Sequence, residues 1–190
     1  KVPYSQGIPQ TLGTLAHLTP MNDPQRLEDL FRHHGDGIAA MLIEPIQGEG
    51  GFVVPAPGFL PALAEWCRRS GAVFVADEIQ TGFGRTGTWF AIEHAGLEPD
   101  MICLAKGLGG GFPMGAFAYT KAIRDVLSQG AHGSTFGGSP IACAAGLAAI
   151  EAYRDEGLIE RSAALGAHML NALRAALESV AGVRDIRGLG

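Results

Sequence analysis

Two charged residues stand where apolar segments of the sequence end. Asp77 follows the run Val-Phe-Val-Ala at 73–76, and Lys106 follows the run Met-Ile-Cys-Leu-Ala at 101–105. A lysine shielded from water loses its proton more easily and becomes a nucleophile able to form a Schiff base. Short β-rich runs separated by a mixed segment indicate neighbouring parallel strands, whose carboxyl ends lie at one edge of a sheet. The sequence therefore predicts that Asp77 and Lys106 face one site.

Each of these residues also has an ordinary explanation. Most lysines are solvated at the surface. The five apolar residues before Lys106 and the glycines after it nevertheless favour burial, and we expect its side chain to be buried. Asp77 could cap the end of its strand, or it could belong to the magnesium-binding strand of an ATPase. The ATPase interpretation requires a Gly-x-x-x-x-Gly-Lys-Ser/Thr loop, which the sequence lacks.

Other common catalytic motifs are missing from the sequence. The glycine-rich stretch 107–111 fails as a dinucleotide fingerprint, because Phe112 occupies the place of the third glycine and Pro113 follows where a helix should begin. There is no Gly-x-Ser-x-Gly elbow and no His-Glu-x-x-His pair. We therefore expect neither a hydrolase of these types nor a bound metal ion.

Four motifs carry a more specific signal. They are Glu-Pro-Ile-Gln-Gly-Glu-Gly-Gly at 44–51, Asp-Glu-Ile-Gln-Thr-Gly-Phe-Gly-Arg-Thr-Gly at 77–87, Leu-Ala-Lys-Gly at 104–107 and Ser-Thr-Phe-Gly-Gly at 134–138. The spacing is 28 residues from Glu49 to Asp77, 29 from there to Lys106 and 29 from there to Thr135. In order and spacing they resemble the class III, or ω-amino, branch of the pyridoxal phosphate (PLP) dependent aminotransferases. The likeness covers nearly the whole chain.

The resemblance implies roles for the residues around the cofactor ring. Lys106 would hold PLP as a Schiff base (the internal aldimine) and then act as general base and acid. Asp77 would pair with the pyridine nitrogen and keep it protonated. Ile79, two residues on in an extended segment, looks like the apolar residue stacked on the ring. Gln80 would donate or accept a hydrogen bond near the ring hydroxyl.

The same resemblance implies a shared site and a pair of substrates. Thr135, with Ser134 beside it, is similar to the residue that reaches the phosphate of the partner subunit's cofactor, which implies a homodimer. Glu49 resembles a carboxylate that pairs with an arginine when an ω-amino substrate binds and releases it for 2-oxoglutarate. That arginine is expected beyond Gly190, and Glu49 as a simple solvated loop carboxylate is an equal alternative.

Composition excludes several other classes of function. The chain of 190 residues has a net charge of −5, is 47% hydrophobic and 17% charged, and has no cluster of Lys and Arg, so no nucleic-acid or anionic membrane partner is indicated. Its small apolar run at 141–150 is too short to span a bilayer. The cysteines, Cys67, Cys103 and Cys143, are odd in number and lie in apolar surroundings, which indicates reduced core residues of a cytoplasmic protein.

Alternating helical and β patterns predict an α/β fold, with a mostly parallel sheet and helices on both faces. In the family named above, that is the large domain of the fold type I enzymes. Helices are predicted at 24–33, 57–70, 89–94, 121–127, 140–154 and 158–177, and strands at 38–43, 73–76, 101–105, 113–119 and 183–187. Gly115 and the leading proline of 113–119 suit an edge or antiparallel strand. Residues 1–24 are expected to be irregular.

The domain organisation follows from the resemblance. Residues 1–155 are expected to form part of the PLP-binding large domain, and 156–190 a connector helix and the start of a small C-terminal domain. Members of the family are longer, so we expect the chain to be a fragment. The loop that cradles the phosphate is expected before Lys1, and this piece by itself is then expected to be inactive.

The resemblance leaves the amino donor open. The region 44–87 looks most like 4-aminobutyrate aminotransferases, whereas 132–144 looks more like acetylornithine aminotransferases and related enzymes of lysine pathways. A PLP-dependent amino-acid racemase on the same fold is an alternative, and it would need no oxo-acid acceptor. A non-catalytic fragment that forms dimers without taking up cofactor is a second alternative.

Overall fold

A computed structural model describes residues 10–126 and 128–190 of the protein. Helices and strands alternate through the first part of this range, and helices dominate the rest. The helices are α1 (Pro24–His34), α2 (Phe59–Ser70), α3 (Lys121–Arg124), α4 (Pro140–Asp155) and α5 (Leu158–Leu177). The strands are β1 (Ala40–Ile43), β2 (Val73–Asp77), β3 (Met101–Leu104) and β4 (Ala116–Tyr119). Short 3₁₀ helices span Gln10–Leu15, Gly35–Gly37, Ala91–Ala95 and Lys106–Gly109.

The four strands form one sheet in the order β1-β2-β3-β4. The first three are parallel, with Asp77 of β2 opposite Cys103 of β3, and β4 runs antiparallel to β3, with Ala116 opposite Leu104. The predicted α/β fold with a mostly parallel sheet is confirmed, as is the antiparallel edge strand. This register brings the carboxyl ends of β2 and β3 side by side, so the residues that follow them meet at one edge.

Local sequence signals set the ends of the first two long helices. The Asp23 side chain accepts a hydrogen bond of 3.0 Å from the Arg26 amide, and Pro24 opens α1. Such an N-cap stabilises a helix by about 1 kcal/mol. Helix α2 ends at Gly71, whose φ of 75° lies in the left-handed region that favours glycine. Both boundary predictions are confirmed.

The hydrophobic core lies between α1, α2 and the sheet. Its buried members are Leu27, Phe31, Phe59, Leu60, Leu63, Cys67, Ala72, Phe74 and Ile92. Phe31 of α1 stacks on Trp66 of α2, with ring centroids 5.8 Å apart. Each large apolar side chain buried here stabilises the fold by about 1.5–3 kcal/mol. The core thus fixes α1 and α2 against the strands that carry the site.

Helix α5 packs against the loop that follows β2. The Ser162 hydroxyl donates a hydrogen bond of 3.1 Å to the Arg85 carbonyl oxygen, and Gly84 and Gly87 approach Ile159 and Ala163 so closely that a β-carbon at either glycine would clash. Leu165, Met169, Leu173 and Leu177, which follow one another at four-residue intervals along α5, are 37–58% exposed. The division into residues 1–155 and 156–190 stays a prediction.

Several expectations from the sequence need correction. The strand predicted at 183–187 is wrong, because this segment pairs with no strand among the described residues and instead binds a loop through the Arg187 side chain. Residues 10–15 form a 3₁₀ helix where irregular structure was expected, and residues 1–9 and the predicted helix end at residue 127 lie outside the described residues. Cys143 is exposed on α4 rather than in the core.

Within residues 10–126 and 128–190, none of the helices combines the length and the apolar character that crossing a lipid bilayer requires.

Candidate active site

Asp77 is the last residue of β2, and its side chain shapes the turn that follows. Its Oδ1 accepts a hydrogen bond of 3.1 Å from the Ile79 amide. Ile79 therefore lies in a turn, not in the extended segment that the sequence suggested. The Asp77 side chain is half-buried, and a carboxylate has about four lone-pair sites. It thus retains the capacity to pair with a cationic group while holding its own turn.

Glu78, beside it, is the residue whose role the sequence did not reveal. Its side chain is fully buried, and its carboxylate accepts hydrogen bonds from the Thr81 hydroxyl, the Ala91 amide (3.0 Å) and the Ile92 amide (2.8 Å). The two amides open the 3₁₀ helix Ala91–Ala95. Three donors compensate for the loss of water around the carboxylate. Glu78 consequently anchors the loop 78–92 that follows Asp77.

Lys106 begins the 3₁₀ turn that follows β3. The expectation that it is buried is wrong, because its side chain is exposed. The apolar residues of β3 are themselves only partly buried, so the strand does not carry the lysine under a covering layer. The Lys106 ammonium donates a hydrogen bond to Oε1 of Gln80, in the turn after β2. The predicted meeting of the two strand ends is therefore observed.

The loop 44–53 brings a third set of side chains to the same edge. A Glu44 carboxylate oxygen accepts a hydrogen bond of 2.8 Å from the Gly48 amide, and Gln47 and Val53 form an antiparallel bridge. A β-carbon at Gly48 would lie 3.2 Å from the Gln80 side chain. Only glycine permits this close approach without displacement. The loop presents Glu49, whose side chain is exposed.

These segments enclose one pocket of about 180 Å³. Its lining is Glu44, Gly48, Glu49, Asp77, Ile79, Gln80 and Lys106. The pocket brings together an amine, two glutamates of the loop 44–53, a carboxylate at a strand end, an amide and one apolar side chain. An amine can react with an aldehyde, a carboxylate can pair with a pyridinium, and an apolar side chain can cover a ring face. The donor set thus fits PLP.

Two residues predicted for cofactor binding lie elsewhere. Ser134 lines a separate cavity of about 400 Å³ beside Phe136 and Cys143, and neither Ser134 nor Thr135 lines the pocket of Lys106. Both are exposed. Their predicted role toward a partner subunit remains a prediction.

A family model described as aminotransferase class-III matches residues 3–190. The chain belongs to the class III aminotransferase family. Among its curated relatives, a 4-aminobutyrate aminotransferase of Mycobacterium bovis is 49% identical to this chain over 158 residues. The match covers 82% of this chain and 35% of the relative. An acetylornithine aminotransferase of Methanosarcina acetivorans is 48% identical over 171 residues, 90% of this chain and 42% of the relative.

Solved structures of the family have the same fold. The ornithine aminotransferase of Toxoplasma gondii, described with partial occupancy of PLP at its active site, superposes with a TM-score of 0.87 at 41% identity, over 92% of this chain and 41% of that one. The acetylornithine aminotransferase of Elizabethkingia anophelis gives a TM-score of 0.86 at 42% identity, over 90% of this chain and 43% of that one. The class III chain therefore spans between a third and a half of the length of these proteins.

Two contacts of the site were not foreseen. No contact of Glu44 was predicted from the sequence. A glutamate four residues before a glycine can nevertheless accept the hydrogen bond that closes the turn between them, as Glu44 does from the Gly48 amide. For Glu78 the one available signal was Thr81 three residues later. Its partners at 91 and 92 are too distant in the sequence for any local pattern to indicate.

Proposed function

We propose that this chain carries part of the cofactor-binding domain of a PLP-dependent aminotransferase, which moves an amino group from an ω-amino acid to 2-oxoglutarate. The observation that carries the proposal is the convergence of Lys106, Gln80, Asp77 and Ile79 on one pocket. Membership of the class III family supports it. The names of relatives favour 4-aminobutyrate, acetylornithine or ornithine-like donors.

Lys106 is the reactive group of the proposal. Bound PLP supplies an aldehyde and an electron-withdrawing ring that stabilises negative charge on the substrate carbon. The Lys106 Nζ would hold that aldehyde, and the same amine would serve as the base and acid that move a proton at the substrate carbon. Its hydrogen bond to Gln80 keeps the amine at the strand edge, where both roles are needed.

The other residues that line the pocket bind and orient the cofactor in this proposal. The Asp77 carboxylate, held by the Ile79 amide, would hold the bound cofactor and keep its pyridine nitrogen protonated. The Ile79 side chain would cover the ring, and Gln80 would hydrogen-bond near the ring hydroxyl. Each of these roles requires only groups that line the same pocket.

Glu49 contributes to the choice of substrate. Its exposed carboxylate, at the rim of the pocket, attracts a positively charged group and repels a second carboxylate. In the proposal it engages an arginine while an ω-amino donor binds, and it releases that arginine to bind 2-oxoglutarate.

The proposed assembly is a cytoplasmic homodimer with shared sites. Ser134 and Thr135 are exposed and lie off the Lys106 pocket, so they are free to reach the cofactor phosphate of the partner subunit. Cys67, Cys103 and Cys143 are free thiols, which agrees with a reducing compartment.

Borohydride trapping tests the proposal. The lysines of the sequence are Lys1, Lys106 and Lys121, so peptide mapping after incubation with PLP and reduction identifies the modified residue directly. We expect the label on Lys106, its loss in Lys106→Arg and its retention in the control Lys121→Arg. The measurement is made on the 190-residue chain and on the longest polypeptide that carries it. No label on either, or equal label on all lysines, contradicts the proposal.

Amino-group transfer is tested on any polypeptide that takes the label. Conversion of 4-aminobutyrate, N-acetylornithine or ornithine must depend on added 2-oxoglutarate. Loss of optical activity of ornithine or N-acetylornithine without an oxo-acid acceptor would instead indicate a racemase.

A further inference from the structure

The backbone of Lys106 has an unusual conformation. Its φ is 43°, in the left-handed region that residues other than glycine rarely adopt. Such a conformation is strained and persists only where the surroundings enforce it. The orientation of the Lys106 side chain therefore depends on whatever holds the turn Lys106–Gly109.

Tyr153, on α4, contacts this turn directly. Its hydroxyl donates a hydrogen bond of 2.8 Å to the carbonyl oxygen of Gly107, the residue after Lys106. The same oxygen accepts a hydrogen bond of 3.1 Å from the Gly110 amide, which closes the turn. Two donors on one carbonyl fix the peptide plane between Gly107 and Leu108, one residue after Lys106. The bond joins residues 46 positions apart, so α4 is attached to the end of β3 at this point.

The Tyr153 ring is itself held in place. Its centroid lies 6.1 Å from that of Phe83 and 6.4 Å from that of Trp89, the latter in an edge-to-face arrangement. A β-carbon at Gly107 would lie 3.0 Å from Phe83 and 3.4 Å from the Tyr153 hydroxyl. The turn is thus wedged between Phe83 on the loop after β2 and Tyr153 on α4, and it has little freedom to relax.

We propose that Tyr153 is a positioning residue for Lys106: its hydroxyl, acting through the Gly107 carbonyl, holds the turn in the conformation that directs the Lys106 amine to Gln80. The inference rests on the proposed function, since Lys106 is the group being positioned. Tyr153 is not among the residues that line the Lys106 pocket. Its effect is therefore confined to the geometry of the turn.

Three variants separate the hydroxyl from the ring. Tyr153→Phe removes only the hydroxyl, whereas Tyr153→Leu also removes the ring contacts with Phe83 and Trp89. Tyr119→Phe is the matched control, because Tyr119 pairs with Met101 at the opposite end of β3 from Lys106. All three are made in the longest polypeptide that carries this chain and in the 190-residue chain.

Two measurements decide the outcome. Hydrogen exchange of the segment 105–112, without cofactor, should quicken about fivefold in Tyr153→Phe, as the loss of one neutral hydrogen bond implies. The rate of PLP labelling at Lys106 should fall about fivefold relative to wild type, while the melting temperature stays close to it. Tyr153→Leu should also lower the melting temperature. Tyr119→Phe should match wild type in exchange and labelling.

The results distinguish the inference from the function on which it rests. Faster exchange with unchanged labelling in Tyr153→Phe means that the hydroxyl holds the turn but positions nothing, and this overturns the inference. Unchanged exchange overturns it as well. If wild-type Lys106 takes no label, the proposed function fails and the positioning role fails with it, whereas the exchange data still report whether the hydroxyl holds the turn.

Discussion

The Arg187 guanidinium donates two hydrogen bonds, of 2.7 and 3.1 Å, to the carbonyl oxygen of Gly51 across 136 positions of sequence. A further bond of 3.3 Å reaches the Phe52 carbonyl oxygen, and Asp185 pairs with the same guanidinium. Gly51 and Phe52 both have positive φ values, 108° and 51°. The end of the chain therefore holds the strained part of the loop that presents Glu49.

Removal of this contact should loosen the Glu49 loop. The Gly51 and Phe52 amides both donate to the Gly48 carbonyl oxygen at 3.1 Å. In Arg187→Gln we expect their hydrogen exchange to quicken roughly tenfold, because charge-assisted bonds to the loop are lost. Arg184→Gln, in the same exposed segment, is the control and should leave the exchange unchanged. Equal rates in wild type and Arg187→Gln would show that the loop holds its own shape.

Glu78→Gln should destabilise the fold. The Ala91 and Ile92 amides donate to different oxygens of the carboxylate. The substitution replaces one of these oxygens with an amide nitrogen, so one of the two N–H groups then faces another donor in a fully buried position. We expect a loss of about 2–3 kcal/mol in the free energy of unfolding, measured by urea denaturation. The exposed Glu98→Gln is the control and should cost less than about 0.5 kcal/mol. Similar stabilities for the two variants would contradict an anchoring role for Glu78.

Gly87→Ala tests the docking of α5 on the loop after β2. Gly87 has a φ of 87°, and a β-carbon there would lie 2.7 Å from the Ala163 β-carbon. Gly96 also has a positive φ, 65°, but open space around it. Gly96→Ala should therefore lower the free energy of unfolding by about 1 kcal/mol through backbone strain alone. Gly87→Ala should lower it by about 1–3 kcal/mol more, since α5 must shift. Equal losses in a denaturation experiment would mean that the contact is easily displaced.

The three cysteines should differ in reactivity. Burial, with the negative charge of Asp100 adding to it, raises the pKa of the Cys67 thiol to about 11, and burial also raises the pKa of Cys103. Cys143 is exposed. At pH 8 the Cys67 thiolate is about a hundredfold scarcer than in an unfolded chain. A disulfide reagent should label Cys143 first and Cys67 only on unfolding, as followed by mass spectrometry.

The raised pKa of Cys67 also makes stability depend on pH. The pKa of the Cys67 thiol is near 9 in the unfolded chain and about 11 in the folded one. Between these two pH values the folded state keeps a proton that the unfolded state releases. Stability present below pH 9 is therefore lost as the pH rises toward 11. The slope of unfolding free energy against pH in this window should be shallower in Cys67→Ala than in wild type. Identical slopes would show that Cys67 does not contribute.

Subunit mixing tests the role predicted for Thr135. If Thr135 serves the cofactor phosphate of the partner subunit, Lys106→Ala and Thr135→Ala should each be inactive or weakened alone, yet their mixed dimer should contain one intact site. Refolding the two variants together should restore about a quarter of the wild-type sites. Lys106→Ala mixed with the double variant is the control, since none of its dimers has an intact site. No recovery in the first mixture contradicts a shared site.

The sequence alone determined much of the local structure and the identity of the reactive groups. Asp23 and Pro24 specify the start of α1, and Gly71 specifies the end of α2, because capping depends on residues within one turn of the helix end. The placement of Asp77 and Lys106 at one sheet edge followed from two apolar runs that each end in a charge. The motif order was enough to indicate the family.

Only the tertiary structure decided how those groups are held. The exposure of Lys106 depends on how fully β3 is covered. The other contacts join segments that lie 13 to 136 positions apart in the sequence. They are the bonds that hold the buried Glu78, the bond from Tyr153 to Gly107 and the bond from Arg187 to Gly51. Helical and strand periodicity report which face of an element is apolar. They do not report the sheet register or the packing of α4, α5 and the segment 183–190. That register and packing determine which donors and carbonyl oxygens from distant parts of the sequence form hydrogen bonds.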